Sequence, residues 1–236
     1  MSTLLTNGCS FVECWPVQNS LVKSLECDNF VNLGLRGGSL QRVVRSTIEW
    51  IAQNGNPKFV IVAIPLVSRW ELSIAQTENK IDGTWYPMQI KASLEKGKIS
   101  KLVDFDRLCN LVDLYYGCIP DIRTFWDSCF TNLILLSSFL EQNKIDYLIF
   151  NMCNKFNKKD LKDFYGKNDY QGFKKLKFIE ENKRIVDLFE FCGNLHMWQN
   201  MDKEFKKEID PYMHHHDSKE YQNLENHLLN YRKLYL

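Results

Sequence analysis

Apolar positions along the chain come in two kinds of run, and their alternation predicts the fold. The stretch TLLT (3–6) is a brief apolar run that stops at Asn7-Gly8, which reads as a short strand closed by a turn. VQNSLVKSLECD (17–28) has a helical pattern, and FVNLGLRGG (30–38) follows as a strand running into glycines. Leu40, Val43, Val44, Thr47, Ile48 and Ile51 then recur at spacings of three and four, an amphipathic helix with Ser39 as its N-cap. Asn54-Gly55-Asn56-Pro57 ends it. KFVIVAIP (58–65) and KIDYLIFN (144–151) are unbroken apolar runs, as expected of strands covered on both faces. A helix rich in Phe, Leu and Ile is predicted from about Asp121 to Gln142, and Tyr221, Leu224, Leu228 and Tyr231 form a last helical stripe. Asp217 and Glu220 suit a capping box at its start.

Strand–helix–strand–helix–strand in this order predicts a three-layer α/β/α domain around a parallel sheet of about five strands, of flavodoxin-like type. The chain of 236 residues suits one such domain over 1–236, interrupted by irregular insertions at about 72–118 and 154–180. In the first, IDGTWYPMQI (81–90) reads as a turn or short hairpin and KASLEKGKISKL (91–102) as exposed. The second is lysine-rich but interleaved with Asp and Glu, so a solvated surface insertion is favoured over an RNA-binding patch.

Composition narrows the function classes. A net charge of +1 gives no global field for nucleic acid or an anionic membrane. No apolar segment reaches the ~18 residues of a membrane span, and the N-terminus lacks a signal-like run. The eight cysteines form no Cys-x-x-Cys pair and sit mostly in apolar stretches, predicting reduced core thiols and a cytoplasmic protein.

Ligands of parallel sheets bind at the C-terminal ends of the strands. Three segments fall there: Gly8-Cys9-Ser10, Gly37-Gly38-Ser39, and HHHDS (214–218) before the last helix. A serine, a glycine loop and a histidine on one rim make an acyl-transfer site, with serine as nucleophile, histidine as base and backbone N–H groups holding the oxyanion. Taken singly, Ser10 reads as a helix cap before it reads as a nucleophile, and Cys9 as a core thiol rather than a nucleophile. His214, His216 and Asp217, with His196, are the residues from which a zinc site would be built, but consecutive ligands suit one tetrahedral ion poorly. Trp15, Trp70, Trp85 and Trp198 read as packing residues, with Trp70 and Trp85 close enough to the rim to stack on a sugar.

The order of these pieces resembles the SGNH (GDSL-type) hydrolases, in the form found in bacteriophage-encoded members. Gly8-Cys9-Ser10-Phe11 is similar to their first block, with Cys in place of Asp, and NLGLRGGS (32–39) to their second. DPYMHHHDSKEY (210–221) is similar to their C-terminal block, and RWE (69–71) with DGTW (82–85) also resembles the phage-type relatives. The resemblance implies a serine esterase acting on a small-molecule or glycan ester, removing an acyl or acetyl group from a carbohydrate or lipid without a cofactor. It implies Ser10 as nucleophile, His216 as base with His214 and His215 behind it, and Gly37 as an oxyanion donor. Two departures stand out. VIVAIPLVSRWE (60–71) has no Asn donor, so Arg69 is the candidate substitute, steadied by Glu71. The acid that would orient the histidine falls to Asp210, six residues before His216. The alternative implied by these departures is a catalytically silent, virion-associated binding protein of the same fold.

Overall fold

The computed structural model describes residues 1–13, 15, 19–35, 37–73, 85–88, 105–118, 122–151, 154, 162–163, 165, 170–187 and 218–235. Five parallel strands form the central sheet: β1 (Thr3–Asn7), β2 (Asn29–Asn32), β3 (Phe59–Ile64), β6 (Asp146–Asn151) and β7 (Ile185–Asp187), in the order β2-β1-β3-β6-β7. A smaller antiparallel pair, β4 (Trp70–Ser73) and β5 (Trp85–Met88), leaves the sheet just after β3. The helices are α1 (Ser10–Glu13), α2 (Asn19–Ser24), α3 (Leu40–Asn54), α4 (Phe105–Cys118), α5 (Ile122–Gln142), α6 (Tyr170–Glu181) and α7 (Ser218–Tyr235).

Alternate side chains of each strand serve opposite faces. Leu4, Ile61 and Leu148 join Val12, Trp15, Leu21, Leu25, Leu224 and Leu228 in one core, under α1, α2 and α7. Leu5, Val62 and Ile149 join Val43, Ile51, Phe130, Leu133 and Leu176 in the other, under α3, α5 and α6. The chain therefore folds into the three layers its pattern predicts, and the unbroken apolar runs are the central strands. The α3 stripe faces inward, with Leu40, Val43, Val44, Thr47 and Ile51 all buried. Ser39 caps it: its Oγ accepts from Arg42 N at 3.2 Å.

Two expectations need correction. The lysine-rich stretch is not a solvated insertion throughout, because α6 packs on α5 through the buried Leu176 and Ile179 while Lys174 and Lys177 are exposed. Lys175 Nζ also reaches Asp127 of α5 at 2.9 Å. Within 72–118, α4 is regular, with Cys109 and Val112 buried. Of the segment read as a turn or hairpin, Trp85–Met88 pairs antiparallel with Trp70–Ser73, and 81–84 and 89–90 lie outside the described residues.

Candidate active site

The sheet order reverses between β1 and β3, because β2 lies to one side of β1 and the later strands lie beyond β3. At such a switch point the two connections leave toward opposite faces and open a crevice above the strand ends. Asn7 ends β1 there and is fully buried. Its Nδ2 donates to Val43 O (3.1 Å), Ser46 Oγ (2.9 Å) and Thr47 Oγ1 (2.9 Å) of α3, and its Oδ1 accepts from Gly8 N at 2.8 Å. This one amide pins the end of β1 to α3 and sets where the chain turns.

The turn delivers Ser10. Cys9 O accepts from both Val12 N and Glu13 N at 3.0 Å, so Cys9 holds the cap position and Ser10 is the first residue of α1. Its hydroxyl makes no hydrogen bond among the described residues, and the side chain is half-buried. The helix-cap reading of Ser10 therefore fails: the capping carbonyl belongs to its neighbour. Cys9 points into the core at 2% exposure, as a packing thiol.

The glycine loop lies directly against this turn. Leu35 N donates to Gly8 O at 3.2 Å, and Asn32 Nδ2 to Val12 O at 2.6 Å. A Cβ on Gly34 would overlap the backbone of Val12 and Glu13, so only glycine permits the approach. Gly37 has φ 73°, in the left-handed region that glycine enters without strain. Arg42 spans both halves, its Nη1 donating to Leu33 O (2.9 Å) and to Asn7 Oδ1 (3.4 Å). Burial pulls the Arg42 pKa below its ordinary value.

After β3 the chain carries the two residues expected to act together. They do not pair. Glu71 Oε1 lies 3.1 Å from Arg45 Nη2, and its side chain is only 4% exposed. Burial raises the Glu71 carboxyl above its ordinary range, against the pull of Arg45. Arg69 instead has Nε and Nη1 buried with no hydrogen-bond partner among the described residues. Trp70 stacks on Tyr115 of α4 with ring centroids 4.3 Å apart, a packing role.

The sequence reading missed Asn151 and Asn154 as well as Asn7. Asn154, 6% exposed, accepts from Val67 N (2.9 Å) and donates to Pro65 O (2.9 Å). It thus braces the loop between β3 and Arg69. Asn151 ties Asn154 O (2.7 Å) to Asp187 at the end of β7 (2.9 Å). The signal was a pair of polar residues closing an apolar strand, IFNMCN (149–154). A pocket of about 160 Å³ opens beside them, walled by Ile64, Trp126, Phe130 and Ile185.

His214, His215, His216 and Asp210 lie outside the described residues, as do His196, Trp198 and Asp217. What the structure does give is the course of α7. Glu225 Oε1 accepts from Trp15 Nε1 at 3.0 Å, five residues past Ser10. Seven residues further on, Arg232 sits over the ring of Phe59, the first residue of β3, and donates to Ser24 O. Helix α7 therefore runs from the rim that bears Ser10 down to the opposite end of the sheet. Among the described residues no group of three or more His, Cys, Asp or Glu could hold a metal ion, and no helix is long and apolar enough to cross a membrane.

Residues 7–169, more than half of the chain, match the model of a protein family described as a family of unknown function, DUF6071. The chain belongs to DUF6071. The DUF6071 match begins at Asn7 and takes in Ser10, Gly37, Arg69 and Asn154, whereas α7 lies beyond it. No curated protein sequence matches this DUF6071 member. Among solved structures it is similar to the psychrotrophic esterase EstA from Pseudoalteromonas sp., in a structure inhibited by monoethylphosphonate. That similarity has a TM-score of 0.44 and 12% identity, over 99% of this chain and 97% of that one. It is also similar to a member of the lipolytic protein G-D-S-L family from Veillonella parvula DSM 2008. There the TM-score is 0.41 and the identity 11%, over 98% and 97% of the two chains.

Proposed function

We propose that this DUF6071 member is a serine hydrolase that cleaves a carboxylic ester, removing an acyl or acetyl group from a carbohydrate or lipid. The observation that carries this reading is the uncommitted hydroxyl of Ser10 at the switch point, with the Gly37 loop packed against its turn. Ser10 Oγ attacks the carbonyl carbon, and its proton passes to the imidazole of His216. The carbonyl oxygen becomes an oxyanion held by the N–H groups of Ser10 and Gly37. Collapse expels the alkoxide, which takes the proton from His216, and water then hydrolyses the acyl-serine by the same route. Asp210 is assigned to orient the imidazole. The start of α7 at Ser218, on the Ser10 rim, supports a base drawn from the histidines immediately before it.

The test is covalent labelling with a fluorophosphonate, which reacts usefully only with an activated serine. Wild type should label at Ser10, and Ser10→Ala should not. His216→Ala should slow labelling by orders of magnitude, and His215→Ala far less. Folded protein that never labels, or equal small losses for His214, His215 and His216, would leave a silent binding protein as the reading.

A further inference from the structure

Two arginines stand on segments at the strand-end rim, Arg42 on α3 and Arg69 in the loop after β3, and neither guanidinium has a carboxylate partner among the described residues. Arg42 donates only to neutral oxygens, Leu33 O and Asn7 Oδ1, while Glu71 and Glu13 act on it from longer range. Arg69 has two buried nitrogens, Nε and Nη1, with no acceptor among the described residues. Glu71 does not pair with Arg69; its carboxylate lies on Arg45 instead. The loop carrying Arg69 is braced at Pro65 and Val67 by Asn154, and Arg69 N itself closes a turn on Leu66 O at 3.1 Å. The side chain therefore springs from a fixed base and is not a surface arginine swept in by chance.

Buried guanidinium nitrogens with unmet donors are unfavourable in the resting protein, and a bound ligand is one way to supply the missing acceptor. A catalytic oxyanion is too brief to do so, because it exists only during turnover. We infer that Arg69 binds a permanent anionic group of the substrate, a carboxylate or a phosphate, borne next to the ester that Ser10 cleaves. Arg42 adds to the positive potential of the crevice while holding the two loops together. Guanidinium suits both anions, since it presents several donors in one plane to their paired oxygens. The inference rests on the serine-hydrolase reading for the ester, but not for the anion.

Two measurements separate these. The first compares kcat/KM for monoethyl succinate, ethyl 3-phosphonopropanoate and neutral ethyl pentanoate. Wild type should favour one charged ester at least tenfold, mainly through KM, and which one it favours tells carboxylate from phosphate. Arg69→Gln should erase the preference and Arg69→Lys should retain part of it, with thermal melting to show that each variant is folded. A wild type without preference, or an Arg69→Gln loss equal on all three esters, would overturn the inference and leave Arg69 as an oxyanion donor. The second titrates succinate and inorganic phosphate into Ser10→Ala while following the arginine Nε–H resonances. A shift that disappears in Ser10→Ala/Arg69→Gln upholds the anion site even if no ester is ever cleaved. No shift with either anion sinks it whatever the esterase result.

Discussion

At the scale of single residues, the site combines polar side chains that are bonded on every side, such as Asn7, with others such as Ser10 and Arg69 that have no partner among the described residues. Asn7 uses both ends of its amide, so removing it strands buried donors and acceptors on α3 and at Gly8. Asn7→Ala should lower stability by about 2–3 kcal/mol in urea denaturation and should also weaken Ser10 labelling, because the turn loses its anchor. Glu71 makes a prediction in pH. Its folded carboxyl is raised from the ordinary value of 4.5, so the folded protein holds that proton more tightly than the unfolded chain does. The contribution is therefore complete below the ordinary value and lost as pH climbs through the raised one. Unfolding free energies of wild type and Glu71→Gln across this window should show wild type losing ground as pH rises, and a constant difference would refute the assignment. Ser10 and Gly37 could be singled out as candidates because each follows a strand end, where parallel sheets bind ligands, although Ser10 alone reads first as a helix cap. Asn7 was not: Asn-Gly reads as a turn, and only the fold shows that its amide faces α3.

At the scale of elements, what the pattern predicted well was whatever is buried on a regular period. The α3 stripe and its Ser39 cap are the clearest case, and Ser39→Ala should cost about 1 kcal/mol, measurable as a shift in the urea midpoint. Helix α6 escaped notice because its buried residues, Leu176 and Ile179, are separated by lysines that dominate the composition. Strand β7 escaped because three residues are too few for a period to show. The close approach of the glycine loop to α1 was equally invisible, since it depends on two segments meeting in space. Gly34→Ala places a Cβ into the backbone of Val12 and Glu13, and the elements must separate to admit it. Such a shift costs about 1–3 kcal/mol. Thermal melting should register that loss, and Ser10 labelling should fall with it as the two loops part.

At the scale of the whole molecule, the three-layer build follows from the sequence of buried runs, while the contact beside the Ser10 turn joins distant parts of the chain. Ser10 follows the first strand, and the helix that returns to its rim is the last. Trp15 and Glu225 mark the meeting of the two, a contact between residues 210 positions apart. Glu225→Ala strands the Trp15 indole N–H in the core and should lower stability by about 1–3 kcal/mol, with Glu225→Gln recovering most of it. That meeting also governs what happens during synthesis. The sheet can assemble once β7 has been made, yet Trp15, Leu21 and Leu25 lack the cover of Leu224 and Leu228 until α7 emerges. A nascent chain at that stage carries an open apolar face, the kind of surface that chaperones hold, and its serine stands at the rim before the helix that completes that rim exists.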